Sequence, residues 1–555
     1  MHPSILLHAI AVSMLLVSCS KSSSNPQPEP KELPDGVTDI AAANSQAVGL
    51  ETAETANCYI LNSAGKYAFP ADVRGNGVSS AGLDAHIDGV ASASIVWDEG
   101  NILRDVSIIT GHSGRPWIVV ETPSTFAHGN ALVAAKDEAG IIVWSWHIWA
   151  TAYRPGEDKT IGSTANGCWS FIPVDLGMTT TDDSSCMLYQ WGRKDPFRCQ
   201  TPGQITGLPS NIENTIKYPE RFYAPSTSIY CNGGDVSLWN PDNSPETTAK
   251  TMLDPCPPGY FVAPYQAAKL MIQYGVDSCE PSAEVVLRSG TTVKFHPTIH
   301  SGELRSDRDF YWQHSYWQPD NVAAPGRKGS AVIDKNGTSW TANNLGGFGL
   351  GLPVRAARKA QFRAAFMGDS ITEFWGGSQE DSEYEERRGD AGFFVSNAFL
   401  NKGIAGQTTA QMLARFDDDI VANNPMKVVI LAGTNDLAGN DNEGNPRSSG
   451  HILANISAMA RKALDGGAKE VLLCSVLPVS QYNWRPAIEP MPLIRDLNDK
   501  IKAYCEATPG CTYVDYFSAW LNEEGTGAKA GLTYDEVHPT RTGCAVLEEI
   551  ILKYL

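Results

Sequence analysis

The chain has 555 residues, of which 42% are hydrophobic and 19% are charged, and its formal net charge at pH 7 is −19. A chain of this length is too long to fold around a single hydrophobic core, so two or three domains are expected. Its apolar content excludes a chain that is disordered throughout. The acidic balance argues against a nucleic-acid partner, because phosphate binding needs clustered Lys and Arg, and it predicts a soluble acidic surface.

The amino terminus has the pattern of an export signal. Residues 5–17 are apolar but too few to span a bilayer, which is typical of a signal peptide. They end at Leu16-Val17-Ser18-Cys19, which resembles the lipobox of bacterial lipoproteins, where the cysteine receives lipid. The alternative is an ordinary cleavage site with an incidental cysteine. We predict a lipoprotein signal peptide over residues 1–19, lipidation of Cys19, and an exported protein anchored to the outer membrane or cell surface of a Gram-negative bacterium.

The next two segments differ in composition and in hydrophobic pattern. Residues 20–45 are rich in Ser and Pro and predict a flexible tether. Residues 46–155 predict a β-sandwich-like domain, because short apolar runs alternate with turn residues and the runs 131–137 and 141–149 are spaced as a hairpin. In the second run Trp144 and Trp146 share one strand face, and Trp149 lies on the other. These indoles either fill the core, as tryptophan usually does, or form an exposed row that stacks on sugars.

Residues 156–357 are loop-rich and predict an α+β domain. Three phrases in this segment, at 189–197, 254–260 and 352–355, resemble the major paralogous domain of secreted bacterial proteins. The resemblance implies display outside the cell and a binding role rather than chemistry, and it is partial because Arg355 is followed by Ala where that family has Cys. The glycine-rich stretch 346–351 lacks the spacing of a nucleotide-binding loop and predicts a turn.

Cysteine use indicates no metal site. The 12 cysteines include no CxxC pair, and the chain has no HExxH helix, so neither structural zinc nor a metalloprotease has support, and no metal is predicted. Most of the cysteines are expected to be buried small apolar residues. Cys505 and Cys511 flank a Pro-Gly pair and are spaced to close a small disulfide loop.

From residue 358 to 555 strand and helix patterns alternate. Strands are predicted at 362–367, 399–403, 427–433, 470–476 and 511–516, and helices at 408–423, 449–465, 491–507 and 540–554. The third strand pattern is continuously apolar, as in a strand that is covered on both faces. The alternation predicts an α/β domain with a doubly wound parallel sheet, and the lack of a G-x-S-x-G elbow argues against the α/β-hydrolase fold.

Four short blocks in this segment carry the candidate chemistry. They are Gly368-Asp369-Ser370, Gly403-Ile404-Ala405-Gly406-Gln407-Thr408, Gly433-Thr434-Asn435-Asp436 and Asp535-Glu536-Val537-His538-Pro539. Each block alone is weak, because Gly, Asp and Ser are common turn formers. In this order, over residues 360–555, they resemble the SGNH (GDSL) hydrolase superfamily. The resemblance implies a flavodoxin-like doubly wound sheet and ester hydrolysis with neither a metal nor an organic cofactor.

The chemistry of ester hydrolysis explains why these residue types are needed. A serine hydroxyl is too weak an acid to attack unaided, so a histidine takes its proton and a carboxylate orients that histidine. The resemblance implies a triad in which Ser370 is the nucleophile, His538 is the base and Asp535 is the partner of the base. In isolation, Asp-x-x-His is more often a surface turn or a capping pair.

The same resemblance implies an oxyanion hole. Its donors are the N–H of Ser370, the N–H of Gly406 and the side-chain amide of Asn435, aimed at the place where negative charge develops. The structural alternatives are turn geometry for Gly406 and a helix N-cap for Asn435, and both are compatible with catalysis. Asp369 and Asp436 are expected to organise these loops rather than to act as general acids.

A loop after the predicted strand 470–476 is expected to overhang this site. It contains Tyr482, Trp484 and Arg485. An aromatic face suits a sugar ring and a guanidinium suits a hydroxyl or carboxylate, so these three residues are predicted to bind substrate. The alternative is a loop that packs only on its own domain.

These observations predict a serine esterase that hydrolyses carboxylic esters through an acyl-enzyme. The favoured substrate is an O-acetylated extracellular glycan, so the expected partners are an acylated carbohydrate or small ester and, through Cys19, a membrane. The polar stretch 376–390 supports this choice, because it offers little apolar lining for a long acyl chain. The alternatives are a lipid or short-chain acyl esterase of the lysophospholipase kind, and a surface binding or adhesion lipoprotein whose hydrolase domain is secondary.

Overall fold

The computed structural model of the chain describes residues 33–47, 54–111, 113–163, 165–179, 187–198, 205–206, 208–209, 211–223, 238–242, 244–273, 351–377 and 389–555, with eight short strands between 279 and 345. The predicted signal peptide with Cys19, residues 20–32 of the predicted tether and the glycine-rich residues 346–350 lie outside the described residues. The end of the predicted tether is wrong, because residues 37–45 form a strand and most of a helix of the first region. No helix in the described part of the chain is long and apolar enough to cross a membrane.

Two four-stranded sheets form the first region. Its elements are β1 (Val37–Asp39), α1 (Ile40–Ala47), β2 (Cys58–Leu61), β3 (Lys66–Pro70), β4 (Ser92–Glu99), β5 (Asp105–Thr110), β6 (Pro116–Glu121), β7 (Gly129–Lys136) and β8 (Ile142–Ala150). One sheet has the order β1-β3-β6-β5, and the other has the order β2-β8-β7-β4. β7 and β8 pair antiparallel along their length, so the predicted hairpin is confirmed.

The tryptophans of β8 are buried on both faces of the strand. Trp144, Trp146 and Trp149 are each at most 1% exposed. Phe69 of the other sheet packs on Trp146 with 5.3 Å between ring centroids, as expected between two facing sheets. On the opposite face the Trp149 indole N–H donates to the Met178 carbonyl at 3.1 Å. The core interpretation is therefore confirmed, and the exposed sugar-stacking row is wrong, because the next region covers the second face.

The region that follows is built from short strands. Its elements are β9 (Lys159–Ser163), β10 (Gly167–Phe171), β11 (Met187–Gln190), β12 (Phe197–Arg198), β13 (Ile205–Thr206), α2 (Ile212–Lys217), β14 (Phe222–Tyr223), β15 (Phe261–Val262), α3 (Tyr265–Gln273), β16 (Cys279–Glu280), β17 (Glu284–Val286), β18 (Thr292–Lys294), β19 (Thr298–His300), β20 (Glu303–Arg305), β21 (Phe310–Gln318), β22 (Lys328–Ile333), β23 (Trp340–Leu345), β24 (Gly351–Leu352) and β25 (Ala356–Lys359). Tyr189 and Trp239 join the same hydrophobic cluster as Phe69 and Trp146, so residues on either side of position 155 share one core.

The strand β25 connects this region directly to the last one. It lies between β10 and β15 in a sheet of order β15-β25-β10-β9. Just before it, the buried guanidinium of Arg355 lies 2.7 Å from the carboxylate of Asp175. Just after it, Phe362 packs in the core of the last domain together with Cys168 of β10. The two regions are therefore in contact through apolar side chains as well as through the chain.

The last domain contains a five-stranded parallel sheet. Its strands are β26 (Ala364–Gly368), β27 (Phe399–Gly403), β28 (Lys427–Leu431), β29 (Glu470–Cys474) and β30 (Cys511–Val514), in the order β27-β26-β28-β29-β30. Its helices are α4 (Ser370–Trp375), α5 (Ala391–Ser396), α6 (Thr409–Ala414), α7 (Phe416–Asp419), α8 (Thr434–Leu437), α9 (Ser449–Asp465), α10 (Pro490–Ala507), α11 (Phe517–Trp520) and α12 (Arg541–Ile551). This strand order is that of flavodoxin-like sheets, so the predicted doubly wound fold is confirmed.

One predicted helix is broken. Residues 408–423 form α6, α7 and a 3-10 turn at Val421–Asn423 instead of a single helix. The break falls at Arg415, whose guanidinium donates to the carbonyls of Gly368 (3.3 Å) and Lys402 (2.7 Å). The next helix, α7, begins at Phe416 and carries three successive aspartates, 417–419, in its first turn, where negative charge is favourable. The clamp by Arg415 holds the ends of β26 and β27 together.

The disulfide that the spacing of Cys505 and Cys511 allows is not formed, and both are free thiols. Cys505 lies in α10 and Cys511 begins β30, and burial raises the pKa of each thiol. Five further cysteines are buried free thiols, as expected for small apolar residues: Cys58, Cys168, Cys256, Cys474 and Cys544.

We predict that Gly403→Ala destabilises the last domain. A Cβ at this final residue of β27 would lie 2.2 Å from the Glu373 amide nitrogen in α4, so the helix that begins at Ser370 would have to move. Overpacking of this kind costs roughly 1–3 kcal/mol in the free energy of unfolding, which urea denaturation measures.

Gly450→Ala is the matched control for this prediction. An added Cβ at Gly450 in α9 meets nothing within 4 Å, so the change is expected to be neutral or slightly stabilising. If the Gly403→Ala protein is as stable as this control, the close packing of α4 on β27 is contradicted.

Candidate active site

The parallel strands bring the four sequence blocks to one edge of the sheet. Gly368 at the end of β26 is level with Gly403 of β27 and with Leu431 of β28. The blocks that follow these strands, at 369–370, 404–406 and 433–435, therefore leave the sheet side by side. The fourth block reaches the same edge from the loop before α12, because His538 contacts Ser370 there.

Ser370 is the first residue of α4. Asp369 caps the helix, and its side-chain oxygen accepts from the Ile371 N–H at 3.0 Å. The first residue of a helix has no intrahelical acceptor for its own N–H. The turn requires glycine at position 368, because a Cβ there would lie 2.0 Å from the Thr372 hydroxyl. This tight strand-to-helix turn places both the hydroxyl and the N–H of Ser370 at the edge of the sheet.

Ser370, His538 and Asp535 form a continuous chain of hydrogen bonds. Ser370 Oγ lies 2.8 Å from His538 Nε2, and His538 Nδ1 lies 2.7 Å from Asp535 Oδ2. The other Asp535 oxygen accepts from the backbone N–H groups of His538 (2.8 Å) and Val537 (3.1 Å). Burial acts to raise the pKa of Asp535, but the bonds from His538 and Val537 outweigh it and hold the pKa below its ordinary value. The carboxylate is therefore ionised beside the imidazole.

Two aromatic rings confine the His538 imidazole. Tyr534 stacks on it with 5.7 Å between ring centroids and 18° between the planes, and Phe374 of α4 lies at 5.3 Å. The imidazole thus contacts the helix that carries the serine and the loop that carries the aspartate. Sequence reasoning missed both aromatics, and the place of Tyr534 directly before the fourth block is the one signal that could have found it.

Asn435 and Gly406 lie beside the serine. The Asn435 side-chain nitrogen donates to the Gln407 carbonyl (3.0 Å) and to Asp369 Oδ2 (3.3 Å). Gly406 has a φ of +77°, which confirms its turn geometry, and no acceptor for its N–H lies among the described residues. The N-cap alternative for Asn435 is wrong, because Gly433 occupies that position of α8. The three predicted oxyanion donors are thus found at one edge.

Two buried aspartates organise these turns. Asp436 accepts from the N–H (2.9 Å) and the hydroxyl (2.6 Å) of Thr409, which ties the third block to α6. Asp369 holds the amide of Asn435 and caps α4. Burial raises the pKa of Asp369 to about 6 despite the bond from the Ile371 N–H, and burial also raises the pKa of Asp436.

The loop 480–486 lies over the edge and is bonded to the fourth block. Ser480 Oγ donates to the Glu536 carboxylate at 2.6 Å, and the Asn483 amide donates to the Asp535 carbonyl at 3.1 Å. Glu536 has a φ of +73°, a conformation that few side chains adopt, so this loop and the fourth block turn support each other.

Of the three residues predicted to bind substrate, one is excluded by its burial. Tyr482 is fully buried, so its predicted contact with substrate is wrong, and its ring instead supports Trp484 with 5.4 Å between centroids. Trp484 is 36% exposed, and Arg485 is half-buried and donates to the Trp484 carbonyl at 3.2 Å. Among the described residues, no group of three or more His, Cys, Asp or Glu side chains could hold a metal ion.

We predict that the Asp369 carboxylate makes the free energy of unfolding fall as pH rises. Folding raises the pKa of Asp369 from 3.8 to about 6, so the folded state binds this proton more tightly than the unfolded state does. The resulting stabilisation is complete below pH 3.8 and is lost as the pH rises through about 6. A tenfold change in proton affinity is worth about 1.4 kcal/mol, so the loss amounts to about 3 kcal/mol.

Asp369→Asn removes this titration while keeping the shape of the side chain. As the pH rises from about 4 to about 8, the wild type is expected to lose this amount of unfolding free energy relative to the Asp369→Asn variant. Parallel pH profiles for the two proteins, measured by urea denaturation, would contradict the prediction.

Comparison with known proteins agrees with this geometry. A model of the GDSL-like Lipase/Acylhydrolase family matches residues 366–546, which include the residues of the hydrogen-bonded chain. A GDSL-like lipase from Bacteroides thetaiotaomicron, known from its crystal structure, is 34% identical in sequence to this chain. The match covers 35% of this chain and 87% of the lipase, with a TM-score of 0.31. An acylhydrolase from Bacteroides fragilis, also known from its crystal structure, is 34% identical in sequence, and the match covers 35% of this chain and 86% of the acylhydrolase with a TM-score of 0.31. An acetylxylan esterase from Geobacillus stearothermophilus is 24% identical over 154 residues, 28% of this chain and 70% of the esterase.

These matches cover about the last third of the chain, where the parallel sheet and the four blocks lie. The identity to the two Bacteroides proteins extends over most of their own length. Through this domain, the chain belongs to the GDSL-like (SGNH) family of ester hydrolases.

Proposed function

We propose that the protein is a serine esterase that removes O-acetyl groups from glycans outside the cell. The observation that carries the proposal is the hydrogen-bonded chain from Ser370 through His538 to Asp535, which supplies a nucleophile, a base and an orienting carboxylate. Membership in the ester-hydrolase family gives the reaction class, and the exposed Trp484 beside the site supports the substrate class.

The first half of the reaction forms an acyl-enzyme. His538 Nε2 takes the proton of Ser370 as the serine oxygen attacks the ester carbonyl carbon, and the ionised Asp535 stabilises the imidazolium. The carbonyl oxygen becomes negatively charged and accepts from the N–H of Ser370, the N–H of Gly406 and the amide of Asn435. The Asn435 nitrogen has two hydrogens, so it exchanges one of its bonds, to Gln407 or to Asp369, for the bond to this oxygen. His538 then gives its proton to the sugar oxygen as the C–O bond breaks. The sugar leaves as an alcohol, and the acetyl group remains on Ser370.

The second half releases acetate by the same steps. His538 takes a proton from a water molecule, whose oxygen attacks the acyl carbon. The tetrahedral intermediate again places its negative oxygen against the three donors. The proton returns from His538 to Ser370 Oγ as the acyl bond breaks, which restores the free enzyme.

The surface near the serine favours a sugar as the alcohol part of the ester. Trp484 is 36% exposed, and the guanidinium of Arg485 donates to the Trp484 backbone carbonyl. Aromatic faces stack on sugar rings, and guanidinium groups donate to hydroxyls. The similarity to an acetylxylan esterase is consistent with this choice. The observation in favour of a lipid ester is Ile404 in the second block, an apolar side chain that is 42% exposed.

We predict that Ser370→Ala abolishes turnover and leaves the fold intact. Loss of the nucleophile from such a triad lowers kcat by roughly 10⁴–10⁶-fold. Hydrolysis of p-nitrophenyl acetate measures the rate, and circular dichroism measures the fold. Ser518→Ala, at an exposed serine of α11, is the matched control and is expected to keep full activity.

An active Ser370→Ala protein would contradict the assignment of the nucleophile. An inert but folded wild-type protein would instead favour the alternative in which the chain is a surface binding or adhesion protein.

We predict that kcat/KM falls as the acyl chain of a p-nitrophenyl ester lengthens from acetyl to octanoyl. A pocket that buries the chain would gain about 0.8 kcal/mol per methylene, and kcat/KM would then rise steadily. Release of acetate from acetylated xylan, absent with Ser370→Ala, is the companion measurement. A steady rise with chain length and no acetate from any acetylated polysaccharide would overturn the glycan proposal and favour the lipid esterase.

We further propose that the protein is exported and held at the membrane by lipid on Cys19. The support is the apolar segment that ends in Leu16-Val17-Ser18-Cys19. Mass spectrometry of the mature protein is expected to find an acylated Cys19 at its amino terminus, and Cys19→Ser is expected to move the protein out of the membrane fraction. An unmodified terminus downstream of position 19 would contradict this proposal.

A further inference from the structure

The side chain of Asn440, which lies outside the four blocks, connects Trp484 to Asn435. The Trp484 indole N–H donates to Asn440 Oδ1 at 3.2 Å, and Asn440 Nδ2 donates to Asn435 Oδ1 at 2.7 Å. The backbone N–H of Asn440 also donates to the Asn435 carbonyl at 3.0 Å. Asn440 is therefore bonded twice to Asn435 and once to the loop 480–486.

The side-chain bond from Asn440, together with the acceptors Gln407 and Asp369, fixes which way the Asn435 amide faces. An asparagine side chain carries an acceptor oxygen on one side and a donor nitrogen on the other, and half a turn exchanges them. Because Asn440 Nδ2 occupies the Asn435 oxygen, the Asn435 nitrogen faces the Gln407 carbonyl and Asp369 Oδ2, next to Ser370. The reverse orientation would present the amide oxygen to a developing oxyanion, and the partial negative charge of that oxygen would repel the oxyanion.

The loop that carries Trp484 is also fixed on the histidine side of the site. Its residues Ser480 and Asn483 are bonded to Glu536 and to the Asp535 carbonyl. The ring of Trp484 rests on the buried Tyr482. A sugar stacked on Trp484 would consequently be held in a set position relative to both the oxyanion donors and the imidazole.

We propose that Asn440 is a positioning residue that orients the Asn435 amide for the oxyanion, and that Trp484 joins this link to the surface where the glycan docks. The proposal rests on the esterase function proposed above. Asn440 acts through Asn435 and not on the substrate, so its loss lowers kcat and leaves KM for a small ester nearly unchanged.

Asn440→Ala and Asn440→Asp are the first test. Asn440→Ala is expected to lower kcat for p-nitrophenyl acetate by about tenfold with KM within about twofold, because complete loss of an oxyanion donor costs roughly 10²–10³-fold and a misoriented donor loses part of that. Asn440→Asp keeps the shape and the acceptor for Trp484 but sets an oxygen against Asn435 Oδ1. It is expected to lose at least as much activity while folding normally.

Asn442→Ala is the matched control. Asn442 lies in the same turn and donates to the Asn445 carbonyl rather than to Asn435. Its replacement is expected to leave kcat unchanged. An equal loss of kcat in this variant would overturn the proposal, because the turn as a whole, and not the Asn440 side chain, would then be responsible.

A double-mutant cycle separates positioning from a structural role. In the Asn435→Ala protein, Asn440→Ala is expected to have no further effect on kcat, because the group that it orients is gone. Trp484→Phe, which keeps an aromatic ring but removes the indole N–H from the link, is expected to lower kcat in the wild-type protein and not in the Asn440→Ala protein.

Two results would overturn the proposal. Equal losses of kcat in the wild-type and Asn435→Ala backgrounds would show that Asn440 does not act through Asn435. A raised KM with unchanged kcat would show that Asn440 touches the substrate. Failure of the esterase function is a different result, since the wild-type protein would then hydrolyse no ester or Ser370→Ala would remain active.

Discussion

The level carboxyl ends of β26, β27 and β28 are the constraint on which the active site depends. Parallel pairing places Gly368 beside Gly403 and Leu431, so three loops leave the sheet at the same height. Arg415 then joins two of these strand ends through their carbonyl groups. A slip of one residue would move a loop by about 3.3 Å along the strand, which is more than a hydrogen bond tolerates. The site is therefore a property of the sheet register more than of any single loop.

Burial sorts the carboxylates at this edge into two roles. Asp369 and Asp436 lie inside the turns, where burial raises the pKa of each, so their ionised forms cost stability while they hold the loops in place. The side chain of Asp535 is 34% exposed, and its bonds to His538 hold its pKa low. This half-buried, hydrogen-bonded carboxylate can remain charged beside an imidazole that gains and loses a proton, which a catalytic partner must do.

The regions before the esterase domain are packed against it and against each other. The strand β25 belongs to a sheet of the preceding region, and Phe362 and Cys168 share the core of the esterase domain. The two faces of β8 are covered by different regions, which is why an aromatic strand that resembles a sugar-binding surface is interior. The resemblance of residues 156–357 to the major paralogous domain stays a prediction.

The sequence by itself determined the order of strands and helices in the last domain and the chemical identity of its four blocks, because apolar runs and short turn motifs are local signals. Only the tertiary structure decided which residues around those blocks are buried, which are exposed and which bond to one another. Tyr482 and Trp484 are two positions apart in one loop, yet one is buried and the other is exposed, since burial depends on what packs against the loop. The break of the predicted helix at Arg415 and the bond between Trp484 and Asn440, 44 residues apart, likewise depend on distant parts of the chain. Contacts of this kind leave no periodic pattern in a sequence, because they exist only once the strands have set the loops side by side.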